Sequence, residues 1–110
     1  IDSNDVFVFH DDLDIDIGKI KAKFGGSSAG HNGIESLDKN IGKEYSRIRV
    51  GIGHPGNRKM VTDHVLRDFN DEEYQEIDKI IENIVISLSV LLEKKLDLFS
   101  SKVNENKKWF

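Results

Sequence analysis

His10-Asp11 follows the apolar run Val6-Phe7-Val8-Phe9, which places an imidazole and a carboxylate at the end of a short strand. In open α/β sheets ligands collect beyond the carboxyl ends of strands, and a carboxylate there can hold an imidazole in one tautomer and raise its basicity. The same Asp11 also fits a helix cap or turn, and His10-Asp11-Asp12-Leu13-Asp14 also fits a solvated acidic turn. A second chemical feature is Gly25-Gly26-Ser27-Ser28-Ala29-Gly30-His31-Asn32-Gly33. Its free amides and the start of the helix that follows make a site for an anion or a carbonyl, into which His31 and Asn32 project. An Asn side chain offers both a donor and an acceptor, which suits a peptide or ribose group. A plain loop ending in a cap accounts for the same residues. Lys21, Lys23, Arg47 and Arg49 can form a phosphate clamp near that loop, although each alone reads equally as a surface charge. His54 reads as a turn residue, and His64 as a surface or packing residue.

Three formal motif matches carry no such chemistry. Gly51-Ile52-Gly53-His54-Pro55-Gly56 satisfies the dinucleotide pattern G-x-G-x-x-G, but Asn57 to Leu66 lacks a helical apolar stripe and no βαβ unit is completed. Asp12, Asp14 and Asp16 begin a calcium loop whose glycine falls late, at Gly18, and whose closing glutamate position is Lys23. Gly25 to Gly30 has P-loop spacing, yet His31-Asn32 stand where Lys and Ser/Thr are required.

Two strands and a glycine loop must position these groups. Ile17, Ile20 and Ala22 alternate with Lys19, Lys21 and Lys23, and Ile48, Val50 and Ile52 with Arg47 and Arg49; both segments read as strands with one apolar and one cationic face. Val6 to Phe9 reads as a strand buried on both faces that stops at His10-Asp11-Asp12. A short helix follows the loop, with Asn32 as N-cap, Glu35 as capping-box partner, Ile34, Leu37 and Ile41 at helical spacing, and Gly42 at its end. A long helix runs from the Asn70/Glu73 capping box to Leu92 and is expected to pack on the sheet. Its apolar face comprises Tyr74, Ile77, Ile81, Ile84, Leu88 and Leu91, broadened by Ile80, Val85 and Leu92. A further helical piece spans about Leu96 to Val103.

The 110 residues, with 37% hydrophobic and 33% charged, describe one small α/β unit with a mixed central sheet and helices on both faces. Residue 1 is not methionine, a buried-type strand begins within six residues, and three strands are few for a doubly covered sheet. The expectation is therefore the C-terminal portion of a single domain whose N-terminal part is absent. The absence of cysteine excludes disulfide scaffolds, thiol nucleophiles and cysteine metal sites. With no stretch long enough for a membrane span and no signal-peptide order at the start, a cytoplasmic chain is expected. The net charge of −4 hides a pattern: six acids and no base in 1–16, ten Lys/Arg against four acids in 17–67, and six bases against ten acids thereafter. A positive middle segment is what a local phosphate-binding face requires, and chance clustering of solvated side chains gives the same count.

Three blocks together resemble one family. Phe9-His10-Asp11-Asp12-Leu13-Asp14, Lys21-Ala22-Lys23-Phe24-Gly25-Gly26-Ser27-Ser28-Ala29-Gly30-His31-Asn32-Gly33 and Tyr45-Ser46-Arg47-Ile48-Arg49-Val50-Gly51-Ile52-Gly53-His54-Pro55-Gly56 are similar, in order and separation, to the bacterial peptidyl-tRNA hydrolases. The likeness runs from about Val6 to Asn104, and Val65-Leu66 with Asp68-Phe69 adds to it. It implies a monomeric α/β enzyme, without metal or cofactor, that cleaves the ester joining a peptide or N-blocked aminoacyl group to the 3′ ribose of tRNA. The family's general base is a histidine in the N-terminal part, which none of the four histidines here matches. By the same resemblance Asp11 orients that histidine, Asn32 contacts substrate and tRNA, and His31 and Gly30 belong to the active-site loop. Lys23 and Arg49 grip the acceptor end of tRNA, with Lys21 and Arg58 assisting. Glu35 and Ser27-Ser28-Ala29 depart from the family's commoner residues without touching a chemical role. The competing reading is a catalytically silent, RNA-binding relative of the same fold.

Overall fold

The computed structural model describes residues 2–53 and 69–105. Strand β1 (Phe7–Asp12) runs parallel to β3 (Ser46–Gly51), and β2 (Ile20–Phe24) pairs antiparallel to β3, so the sheet is mixed with the order β1-β3-β2. Helix α1 (Asn32–Ile41) connects β2 to β3. After the segment outside the described residues come α2 (Asp71–Ile86), α3 (Leu88–Leu92) and α4 (Leu96–Glu105). No described helix is long and apolar enough to cross a membrane.

Register and pleat divide the sheet into two faces of opposite character. Ile20 pairs with Val50, and Ala22 with Ile48 and, across β3, Phe9; these side chains share one face. Ile20, Ala22 and Ile48 meet Ile80, Leu91, Phe99 and Val103 there in a single apolar core. The opposite face carries two rows, Val8-Arg47-Lys23 and His10-Arg49-Lys21, and Asp38 of α1 reaches Arg47 there at 3.0 Å. The mixed sheet with its accompanying helices follows the sequence expectation.

β1 differs from its expectation in extent and burial. It continues through His10 and Asp11 to Asp12 because the ladder with β3 persists to Gly51, and the Ile52 N–H donates to the Asp12 carbonyl at 3.1 Å. Phe9 is 43% exposed, since among the described residues β1 is paired along only one edge. The turn between β1 and β2 presses on β3: a Cβ at Gly51 would overlap the carbonyl oxygens of Ile15 and Asp16.

The expected continuous helix from Asn70 to Leu92 is interrupted. Its start is as read: Asn70 Oδ1 accepts from the Glu73 N–H at 2.9 Å and Glu73 Oε1 from the Asn70 N–H at 3.0 Å. At Ser87 the backbone leaves the helical region (φ −96°, ψ 9°), which separates α2 from α3. The side that packs is also different. Ile80, Asn83, Ser87 and Leu91 are buried, whereas Tyr74, Ile81, Val85, Leu88 and Leu92 are exposed. The apolar arc is wider than one contact face can cover, and α4 takes only part of it.

α4 is the helix that lies along the sheet. Asn104 Oδ1 accepts from the Ile20 N–H at 2.8 Å while its amide donates to the Ile20 carbonyl at 2.9 Å, and Ser100 Oγ accepts from the Ala22 N–H at 2.8 Å. Four residues of helix rise about 6 Å and two residues of strand about 6.7 Å, so side chains at i and i+4 match a strand edge at i and i+2. They occupy backbone groups that would otherwise template another chain. Asn83 Nδ2 donates to the Val103 carbonyl at 3.2 Å and ties α2 to α4. Replacing Asn104 with Leu leaves both Ile20 backbone groups unpaired and is expected to cost about 1–3 kcal/mol. Urea denaturation measures this, and a loss below roughly 0.5 kcal/mol, the range of an ordinary surface change, refutes the edge role.

Candidate active site

Asp11 stands at the carboxyl end of the parallel pair β1/β3, where its Oδ1 meets His31 Nε2 at 2.7 Å. The residue pattern predicts Asn32 as the cap of α1, but the cap is His31. Its Nδ1 accepts from the Ile34 N–H at 3.2 Å. An Nδ1 that accepts leaves the proton on Nε2, so Asp11 receives a hydrogen bond from one defined tautomer. With the cap moved one residue earlier, Glu35 lies outside a capping box and instead accepts from Ser28 Oγ at 3.4 Å. Gly42 ends α1 at φ +79°, as read from sequence.

The glycine loop holds this geometry. Gly30 turns the chain into α1 at φ +81°, and the His31 N–H donates to the Ser28 carbonyl at 2.9 Å. A Cβ on Gly33 would lie 3.1 Å from His31 Cε1, so a larger residue there would require the imidazole to shift by a few tenths of an ångström. Asn32, first residue of α1, is exposed, and its side chain makes no hydrogen bond among the described residues. Asp11, Gly30, His31 and Asn32 therefore converge on the start of α1, whose leading N–H groups have no intrahelical acceptor.

His10 and Asp12 flank the carboxylate on the other face. His10 Nδ1 donates to the Asp11 carbonyl at 2.9 Å, and its ring meets the His31 ring edge-on at 5.0 Å between centroids. Burial, with His31 beside it, pulls the His10 imidazole below its ordinary range against the opposing pull of the Asp11 carbonyl and of the Asp12 and Asp11 charges. Burial pushes the Asp12 carboxyl up, but hydrogen bonds from Arg49 Nε at 2.7 Å and from the Asp14 N–H at 2.8 Å outweigh it and leave Asp12 below the usual carboxylate range.

The four cations read as one clamp divide into three environments. Lys21 and Lys23 are exposed, and the Lys23 stem runs beside Gly26 of the loop. Arg49 is shared with Asp12 and is 34% exposed. Arg47 is buried and bound to Asp38 at 3.0 Å. Arg58, His54 and His64 lie outside the described residues. Sequence spacing alone does not reveal the Asp12–Arg49 pair, the His10 contact or the Asp38–Arg47 pair. The nearest signal is the alternation that places His10, Arg47 and Arg49 on one face. Among the described residues no cluster of three His, Asp or Glu is arranged to hold a metal.

A family model described as peptidyl-tRNA hydrolase matches residues 1–109. The chain belongs to the peptidyl-tRNA hydrolase family. It is 62% identical over 104 residues to the peptidyl-tRNA hydrolase of Pelagibacter ubique, covering 94% of this chain and 56% of that protein. It is 48% identical over 98 residues to that of Rickettsia typhi, covering 89% and 53%. A crystal structure of peptidyl-tRNA hydrolase from Acinetobacter baumannii superposes with a TM-score of 0.79 at 33% identity, over 89% of this chain and 50% of that one. The chain thus spans about half the length of the relatives it matches.

In this peptidyl-tRNA hydrolase family chain, the His10 environment sets a pH dependence. A histidine whose folded pKa lies below its unfolded value binds fewer protons when folded. Its neutral form gives full stability above the unfolded value near 6.5, and that stability is lost as pH falls through the folded value. Thermal melting between pH 7.5 and 5 should therefore show a steeper decline for the wild type than for His10→Phe. Equal slopes exclude His10 as the group responsible.

Proposed function

We propose that the full-length protein hydrolyses the ester between a peptide, or an N-blocked aminoacyl group, and the 3′ ribose of tRNA. The observation that carries this reading is the 2.7 Å contact between Asp11 and His31 at the start of α1, beside Asn32. Ester hydrolysis needs an activated water, a base near neutral pKa, and dipoles where negative charge develops on the carbonyl oxygen. Asp11 Oδ2 makes no hydrogen bond among the described residues, and a carboxylate can accept from more than one donor. It thus has capacity to orient a second imidazole, the histidine base expected outside this chain. His31 has both ring nitrogens engaged, as donor to Asp11 and as acceptor for Ile34, so it fits a substrate-positioning role better than a base. Asn32, with Gly30 and the leading amides of α1, faces the carbonyl or ribose. Lys21, Lys23 and Arg49, with Arg58, contact phosphates of the acceptor stem and 3′ end. The protein acts as a cytoplasmic monomer in this reading, and the support for that is the family resemblance.

An Asp11→Asn substitution keeps the shape of the side chain and removes the charge that steadies an imidazole. Turnover of N-blocked aminoacyl-tRNA by the full-length protein is expected to fall by at least about tenfold, roughly 1.4 kcal/mol of barrier. A smaller fall removes Asp11 from that role. Tight tRNA binding by a wild type without turnover would establish the silent, RNA-binding alternative instead. Replacing Lys23 and Arg49 by Gln should weaken tRNA binding and lower the salt slope by roughly one unit for each phosphate no longer neutralised. Titration of affinity against salt measures this, and an unchanged slope places these side chains away from the RNA.

A further inference from the structure

Arg47 and Asp38 bury opposite charges beneath α1, with side chains 3% and 9% exposed. Arg47 Nη2 donates to Asp38 Oδ1 at 3.0 Å and to the Lys43 carbonyl at 3.4 Å. The Tyr45 hydroxyl donates to the same Asp38 Oδ1 at 2.8 Å, and the guanidinium lies 4.6 Å from the centre of the Tyr45 ring. Arg47 Nε and Nη1 are buried with no partner among the described residues. A buried ion pair seldom outdoes apolar residues of equal volume, and unmade donors lower its worth further. Stability alone therefore does not explain the cluster. Its distinguishing property is direction, because two donors converge on one oxygen and a planar guanidinium stacks on a ring.

The position of the cluster along α1 gives that direction a purpose. His31, Ile34 and Asp38 recur at spacings of three and four and so share one face of the helix. Each is tied to the sheet side: His31 to Asp11 on β1, Ile34 by burial to 1% exposure, and Asp38 to Arg47 on β3. Seven residues separate the two polar anchors, about 10.5 Å along the axis. If the Asp38 end is released, α1 can roll about its axis. A roll of about 20° moves each Cα by about 0.8 Å, and a misplacement of about 1 Å in a positioning group can cost on the order of a hundredfold in rate.

We propose that Asp38, Tyr45 and Arg47 form a positioning device that fixes the roll and axial setting of α1 and thereby holds His31 and Asn32 in register with Asp11. They act through the helix and touch neither substrate nor reacting atoms. The rate consequence rests on the ester hydrolysis proposed above, whereas the placement of His31 does not.

The test compares the full-length wild type with the double variant Asp38→Leu/Arg47→Met and with Tyr45→Phe. Thermal melting, kcat and KM on N-blocked aminoacyl-tRNA, and the ¹⁵N resonances of the His31 ring are measured for each. For the double variant the expected result is an equal or higher melting temperature, kcat lower by about tenfold at unchanged KM, and His31 nitrogens shifted toward the averaged tautomer values. Tyr45→Phe should move kcat and the His31 resonances the same way by a smaller amount. A folded double variant with kcat within about twofold of wild type and unmoved His31 resonances overturns the proposal. If the double variant does not fold, Tyr45→Phe decides, and unmoved His31 resonances overturn it. If the wild type shows no hydrolysis, the functional reading fails and the ¹⁵N comparison alone decides the positioning role.

Discussion

The hydrogen bond from His31 Nε2 to Asp11 Oδ1 joins two parts of the chain placed by different forces, and the geometry of the site depends on it. Asp11 is placed by the parallel ladder between β1 and β3, a matter of backbone pairing. His31 is placed by capping, because its Nδ1 satisfies an N–H that the helix itself cannot. One imidazole serves both, so neither bond can be broken without loosening the other. At 28% and 40% side-chain exposure the pair adds modestly to stability. Its physical effect is to define a tautomer and an orientation.

Around that bond the charges are sorted by depth. The formal count of cations on the strand faces overstates what an anionic ligand would meet, because Asp12 engages Arg49 and Asp38 removes Arg47 from solvent. Lys21 and Lys23 remain exposed on β2, next to the glycine loop. The acidic flank also has a role of its own: Asp12 holds Arg49 by charge and the Asp14 N–H by a local turn, which stiffens the chain just past Asp11.

The helical layer shows where periodicity stops being informative. The apolar residues from Tyr74 to Leu92 form an arc broader than one packing contact. Periodicity therefore identifies α2 and α3 as amphipathic without choosing between the 80-84-91 side, which packs, and the 81-85-88-92 side, which stays exposed. That choice is made by α4, whose Ser100 and Asn104 engage the edge of β2 and thereby bring Phe99 and Val103 into the core.

Much was legible in the residues themselves. The strands, the Asn70/Glu73 capping box, the helix terminus at Gly42 and the sharp loop at Gly25 to Gly30 all follow from local rules of pleat, capping and positive φ. The three spaced blocks also identified the family. Tertiary structure alone decided that His31 rather than Asn32 caps α1, that β1 runs on through Asp12, that the long helix breaks at Ser87, and that Arg47 is buried while Lys23 is not. Each of these depends on a partner far along the chain or across the sheet. Local propensity describes a residue's own backbone, whereas burial and pairing are properties of what the rest of the chain brings against it.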